Sequence, residues 1–173
     1  MTPSLTDTLC TRCGLCCDGS LFADVELAGR AEVTRLEALQ LGVEDDGARG
    51  AVLTQPCAAL RGRRCGVYEH RPQCCCTFEC RLLRDVRRGA VSVPRAQKEI
   101  AEALRGVTKV KALIARLGPS DNQLPLVESC AEVLARDAGA DPELVRKHAE
   151  LEAAMSGVEK VLRKSFLDGV LDR

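Results

Sequence analysis

The apolar residues of the C-terminal half recur every three or four positions, a spacing typical of amphipathic helices. The longest apolar stripe begins after Pro94 and ends before Gly118 and Pro119, two residues that terminate helices. A shorter helix is predicted over residues 125–136, ending near Gly139. The first stripe consists of Ile100, Leu104, Val107, Val110, Ile114 and Leu117.

A third helix is predicted after Asp141, because an N-cap residue, a first-turn proline and an acidic residue follow one another at residues 141–143. Its stripe contains His148, which we interpret as a core or boundary residue. We expect the three helices to pack as an antiparallel bundle. The predicted domains are a cysteine-cluster domain over residues 1–90 and a helical extension over residues 91–173 that packs on it. The third stripe consists of Leu144, His148, Leu151, Met155, Val158 and Leu162.

The N-terminal half is less periodic. Residues 27–41 predict a helix that stops at Gly42, and the acidic residues 43–50 that follow predict a loop. Residues 78–88 predict one or two helical turns that present several arginines and end at Gly89. The short strands predicted at 51–54 and 65–68 would form one β-hairpin beside a metal site. The predicted fold class is mainly α, with irregular cysteine-rich loops, one short β-hairpin and C-terminal antiparallel helices.

Composition supports this fold class and narrows the partners. Aromatic residues make up only 2% of the chain, so the core must be built from Leu, Val and Ala, which favours helix packing. Lys plus Arg and Asp plus Glu number 25 each, so the formal net charge is zero and does not indicate binding to an anionic membrane or to nucleic acid. The first residues lack the basic and apolar regions of a signal peptide, and no apolar run approaches roughly 20 residues. We therefore expect a cytoplasmic protein with reduced thiols.

The cysteines are concentrated in the N-terminal half. Ten of the eleven lie between Cys10 and Cys80, and we interpret Cys130 as a small buried hydrophobic residue of a helix. Three interpretations compete for the ten: a disulfide framework, redox catalysis at a Cys-x-x-Cys pair, and metal ligation. The ten cysteines form the runs Cys10-x2-Cys13-x2-Cys16-Cys17, Cys57-x7-Cys65 and Cys74-Cys75-Cys76-x3-Cys80.

Metal ligation explains both the number and the spacing of the cysteines. A disulfide framework fits poorly with an odd count, no export signal and adjacent cysteines, which pair badly with each other. A single redox pair would not explain ten thiols. Two residues between cysteines let both sulfurs turn toward one point, and Gly14 tolerates the positive φ that such tight turns need.

Thiolate ligands select zinc or iron–sulfur clusters over calcium, magnesium or manganese. Structural zinc prefers paired Cys-x2–4-Cys knuckles. The three evenly spaced cysteines from Cys10 to Cys16 are closer to the opening of runs that bind 4Fe–4S clusters, which gives iron–sulfur a slight preference. The proline that ends such runs is missing here. His70, between two cysteine groups, is a further ligand candidate, although the many thiolates make it dispensable.

These motifs resemble the YkgJ-like CxxCxxCC family, described as zinc- or iron-chelating domains. The resemblance covers about Cys10 to Cys80 and includes the flanking residues Tyr68, Arg71, Pro72 and Phe78. Cys76 stands where relatives usually have arginine, and Cys74 is additional, so either could replace Cys75 as a ligand. Some relatives are attached to lysine methylation of flagellin, but nothing else in this chain indicates that chemistry. The metal ligands that the resemblance implies are Cys10, Cys13, Cys16, Cys17, Cys57, Cys65, Cys75 and Cys80.

The sequence leaves several functions open. The protein could bind an iron–sulfur cluster, hold zinc as a structural module, or pass metal on through surplus thiols such as Cys74 and Cys76. Arginines at 61–64 and 81–88 could neutralise a thiolate cluster, and nucleic acid is disfavoured because no aromatic residues are interleaved with them. The C-terminal helices could bind a protein partner, although apolar stripes are more often core. No catalytic motif is evident, so an enzymatic role has no support from the residues.

Overall fold

The computed structural model describes residues 4–119, 121, 123–137, 139 and 141–167. Within these residues the chain is mainly helical, with short antiparallel strands in the N-terminal half, as predicted. The helices are α1 (Leu5–Cys13), α2 (Arg30–Ala38), α3 (Gln73–Thr77), α4 (Arg81–Arg87), α5 (Val93–Leu117), α6 (Leu126–Leu134) and α7 (Pro142–Ser165). The strands are β1 (Asp24–Glu26), β2 (Val43–Asp45), β3 (Ala51–Thr54), β4 (Leu60–Arg61) and β5 (Arg64–Cys65).

The three predicted C-terminal helices are confirmed. Ser92 precedes α5 as N-cap with Pro94 in the first turn, and the Asp141 side chain accepts a hydrogen bond from the Glu143 amide at the start of α7. Helix α5 packs chiefly on α7 and also contacts α1, α4 and α6. Their antiparallel order stays a prediction. The apolar stripes face a shared core, whose buried members from α5 and α7 include Ile100, Val107, Val110, Ile114, Leu151, Met155, Val158 and Leu162.

This core extends beyond the C-terminal helices. Leu9, Leu15 and Leu21 from the N-terminal region belong to the same buried cluster as α5 and α7. Cys130 is 4% exposed within it, as expected for a small buried hydrophobic residue. The boundary near residue 90 stays a prediction, and the structure shows that both predicted parts contribute to one core. In the described part of the chain, no helix is both long and apolar enough to cross a membrane.

The strands form two small sheets. Strand β3 lies in the centre of the first, antiparallel to β1 on one side and β2 on the other, and this sheet packs with α2 around a separate cluster of Leu36, Leu41, Leu53 and Ala59. Strands β4 and β5 form the second sheet. The predicted strand at 51–54 is present, but Cys65 pairs with Leu60 rather than with β3.

Several N-terminal elements differ from prediction. Helix α2 is shorter than the predicted helix over 27–41, because Leu27 follows strand β1 and Gly29 precedes the first helical residue. The region 43–50 is not all loop, since Val43–Asp45 pairs with β3. The predicted helix over 78–88 is present only from residue 81 and ends as expected before Gly89, which has a φ of +77°. Helices α1 and α3 were not predicted.

Candidate metal centre

Helix α1 places the first two cysteines of the site. Ser4 and Asp7 form a capping box at its start, in which the Ser4 hydroxyl accepts from the Asp7 amide at 3.0 Å. Cys10 and Cys13 are three residues apart on α1, so they lie on neighbouring turns of one face. Gly14 ends the helix with a φ of +74°, and its amide donates to the Cys10 carbonyl at 3.3 Å. The expected role of Gly14 in a tight turn is confirmed.

The turn after Gly14 brings Cys16 and Cys17 together. Their sulfur atoms are 3.6 Å apart, within range of a thiol hydrogen bond. This hydrogen bond lowers the pKa of Cys16 and raises the pKa of Cys17, and burial raises the latter further. Of the two thiols, Cys16 therefore loses its proton first.

Cys10, Cys13, Cys16 and Cys80 form one neighbourhood, which we call the first thiol group. Burial, together with the charges of Cys80 and Cys16, raises the pKa of Cys10 to about 11. Burial likewise raises the pKa of Cys13 to about 12, with Cys16, Cys80 and Cys10 as contributing neighbours. Cys80 is the N-cap residue of α4, so the start of that helix brings it to α1.

Cys17, Cys57, Cys65 and Cys75 form a second thiol group. The Cys57 amide donates to the Cys17 carbonyl at 2.9 Å, which joins the segment after β3 to the turn after α1. Burial raises the pKa of Cys57, and the neighbouring Cys65 and Cys16 raise it further. Cys57 and Cys75 in turn contribute to the raised pKa of Cys17. Cys16 neighbours both groups, since its charge also acts on Cys75 and Cys57.

The spatial groups differ from the two groups seen along the sequence. Sequence spacing separates Cys10–Cys17 from Cys57–Cys80, whereas the fold moves Cys80 to the first group and Cys17 to the second. All eight predicted ligands are half-buried. Cys74 is also half-buried and hydrogen-bonded to Cys75, while Cys76 is exposed and lies 3.7 Å from the Arg71 carbonyl oxygen. His70 is exposed.

Glu32 and an aromatic pair hold helix α3 in place, and sequence reasoning missed both. The two Glu32 oxygens accept from the Gln73 amide at 2.6 Å and the Ala28 amide at 2.9 Å. This carboxylate therefore ties the first residue of α3 to the chain before α2. The rings of Phe22 and Phe78 meet edge to face with centroids 5.1 Å apart. The link from Glu32 to α3 carried no sequence signal, because the Gln73 amide lies 41 residues away along the chain.

Positive charge lies next to the thiols. The Arg71 guanidinium stacks on the Tyr68 ring at 3.6 Å, and its Nε donates to the Tyr68 carbonyl at 2.9 Å. From this position Arg71 favours ionisation of Cys10 and Cys16. Arg61 acts similarly on Cys57, and Arg84 on Cys80. The predicted charge compensation by arginine is thus visible at four thiols, two of them next to Arg71, which lies outside the basic runs.

The donor set fits a soft metal. Eight half-buried thiols in two neighbourhoods are ligands that zinc and iron–sulfur clusters accept and that calcium or magnesium does not. Across residues 4–119 and the described parts that follow, no three His, Cys, Asp or Glu side chains already surround a common metal position. The thiols of the described residues are therefore close together in the fold, but they do not have the geometry of a coordination shell.

The fold and the site define a small, mainly helical protein whose N-terminal half carries a cluster of metal-chelating thiols. Residues 9–102 match the family model CxxCxxCC, described as "Putative zinc- or iron-chelating domain". The chain belongs to this family, as its cysteine motifs predicted. The match extends past Cys80 into α5, beyond the segment on which the resemblance was based. No curated protein and no solved structure matches the chain.

Proposed function

We propose that the protein binds iron–sulfur clusters through two sets of four thiolates. The observation that carries the proposal is the first thiol group, in which the run Cys10-x2-Cys13-x2-Cys16 is joined in space by the distant Cys80. Three closely spaced cysteines and one remote cysteine are a ligand set that suits a 4Fe–4S cluster. The second thiol group would hold a second centre through Cys17, Cys57, Cys65 and Cys75.

The surroundings support thiolate ligation at both groups. Raised pKa values mean that the thiols of the metal-free protein are mostly protonated near neutral pH, so metal binding must release protons. Arg71 offsets part of the negative charge that the bound thiolates would carry. A bound cluster would supply one-electron redox chemistry, and the half-buried position of its ligands would shield it from water.

Anaerobic purification decides between iron–sulfur and zinc. The protein is produced with iron and sulfide available and isolated without oxygen, and iron, sulfide and zinc are measured per chain. We expect a brown protein with broad visible absorption that bleaches on reduction. Stoichiometric zinc without iron in the anaerobic sample would overturn the cluster proposal and would favour structural zinc, whose removal should unfold the cysteine-rich part.

Metal transfer is a second candidate function, favoured by the two surplus thiols. Cys76 is exposed, and Cys74 is hydrogen-bonded to the proposed ligand Cys75. Such an arrangement lets a ligand be replaced by a neighbouring thiol while the metal leaves. The test compares the rate of metal transfer to a chromophoric chelator in the natural chain and in the double variant C74S/C76S. A markedly slower transfer in the double variant supports this function, and an unchanged rate argues against it.

A further inference from the structure

A groove of about 470 Å³ lies on the side of α5 that faces the end of α1 and the turn between β4 and β5. Three arginines from three different elements line it: Arg12 of α1, Arg63 of the turn and Arg105 of α5. Its floor is apolar and consists of Ile100, Ala101 and Leu104. None of the proposed metal ligands lines the groove, so it is a separate feature from the thiol groups.

The positive charge of the groove is not neutralised within the described residues. No carboxylate is among the described residues that line the groove. The guanidinium groups of Arg12 and Arg105 form no ion pair or hydrogen bond with a described residue, whereas Arg95 on the same helix as Arg105 pairs with Glu99 at 3.3 Å. Two guanidinium groups therefore face the groove with their donors available. Arginine forks match the oxygens of phosphate groups in bidentate pairs.

The third arginine is fixed in position. Arg63 Nη1 donates to the Arg12 carbonyl at 3.0 Å, at the C-terminal end of α1 where carbonyls lack helical partners. The Arg63 backbone also packs on Gly14, where an added Cβ would stand 3.3 Å from the Arg63 Cα. A side chain held in this way loses little conformational entropy when a ligand binds, which favours affinity.

We propose that this groove binds a phosphate ester of a small organic molecule. The phosphate would lie on the arginines and the organic body on the apolar floor. Gln97 and the Thr108 hydroxyl, at the two ends of the α5 face, offer neutral polar contacts that would orient the body. The volume is within the usual range of small-molecule sites, about 300–1,000 Å³. A nucleic-acid strand is disfavoured, because the lining residues that the structure describes include no aromatic side chain for base stacking.

The test uses the metal-loaded full chain and adenosine 5′-monophosphate as probe, with adenosine and inorganic phosphate as the two half-ligands. Binding is measured by calorimetry at a constant ionic strength of about 0.15 M, where non-specific attraction is screened. We expect saturable binding of the monophosphate that is tighter than that of either half. Equal affinity for inorganic phosphate, or no saturable binding of the monophosphate, would overturn the proposal.

Two variants and a matched control test the site itself. Arg105→Gln should weaken monophosphate binding at least about tenfold, the loss expected for a charge-assisted hydrogen bond. Ala101→Phe fills the floor without changing charge and should weaken the monophosphate more than inorganic phosphate. Arg116→Gln removes an arginine from the same helix about 16 Å further along, outside the groove, and should change affinity less than about twofold. Equal losses in Arg105→Gln and Arg116→Gln would show that only net charge matters and would overturn the proposal.

Discussion

The C-terminal helices and the cysteine-rich N-terminal half differ in the kinds of side chain that they bury. In α5, α6 and α7, Leu, Val, Ile and Met side chains pack into one core, and Val110, Val133 and Leu151 are completely buried. The three-stranded sheet and α2 enclose a separate cluster of four buried residues, and the eight candidate metal ligands nearby are half-buried thiols. Thiolates at these positions would repel one another. The helical part is therefore stabilised by apolar burial, whereas we expect the cysteine-rich part to depend on a bound cation that offsets this repulsion.

Metal removal should affect the two halves most differently. A structural zinc site contributes about 10–16 kcal/mol of binding free energy to folding, far more than a four-residue cluster supplies. After chelation under reducing conditions, hydrogen exchange should speed up throughout β1–β5 and α3. The amides of α5 and α7 should stay protected, and they serve as the internal control. Equal loss of protection in both halves would contradict this division.

Single cysteine variants should separate ligands from surplus thiols. Cys16 neighbours both thiol groups, so Cys16→Ser should lower the metal content per chain by half or more. Cys76→Ser is the matched control, because Cys76 is exposed and its sulfur lies 3.7 Å from the Arg71 carbonyl oxygen, not among the candidate ligands. Elemental analysis of both purified variants provides the measurement. If the two variants lost the same amount of metal, the assignment of the first thiol group would be wrong.

A core substitution should weaken the helical half without disturbing the metal. Leu151→Ala truncates a completely buried side chain of α7 and should lower the free energy of unfolding by about 2–5 kcal/mol. Val145→Ala, at a position 51% exposed on the same helix, should change it by less than about 0.5 kcal/mol. Denaturant unfolding gives both values, and metal content should remain that of the natural chain. A fall in metal content with Leu151→Ala would show that metal binding depends on the core that the two halves share.

The smallest effect is expected at the carboxylate that ties α3 in place. Glu32→Gln replaces one of the two carboxylate oxygens by an NH2 group that cannot accept, so either the Ala28 or the Gln73 amide loses its acceptor. The expected cost is about 1–3 kcal/mol, with faster hydrogen exchange at the Gln73 amide. Glu37→Gln, an exposed position on α2, is the control. Unchanged exchange at Gln73 would mean that α3 is held by other contacts.

The sequence predicted the fold best in the helices whose packing depends mainly on one apolar stripe. The stripes of α5 and α7 are long and regular, and both helices begin with clear capping signals, so their positions could be read directly. Helix α1 was missed because its only buried side chain is Leu9, although the Ser4–Asp7 capping box was a signal. Strands β1 and β2 have three residues each, too few for an alternating pattern to stand out.

The site shows the same limit. The eight candidate cysteines and Gly14 followed from spacing, yet their division in space did not. Cys16 and Cys17 are adjacent, and only the turn after Gly14 decides that each joins a different group. Cys80 joins Cys10 through the packing of α4 on α1, a contact between elements about 70 residues apart. Such pairings depend on the whole fold and leave no local pattern.

One backbone hydrogen bond limits the order in which the parts of this chain can complete their folding during synthesis. The amide of Arg81, immediately after the last candidate ligand, donates to the Phe166 carbonyl at the end of α7 at 3.0 Å. A ribosome adds Phe166 only after all ten clustered cysteines and the whole of α5 have been made. During synthesis, the hydrogen bond from Arg81, which follows the cysteine-rich segment, can therefore form only after the end of α7 has been made. A fragment limited to the family-matched residues 9–102 lacks Phe166 and could not form this hydrogen bond.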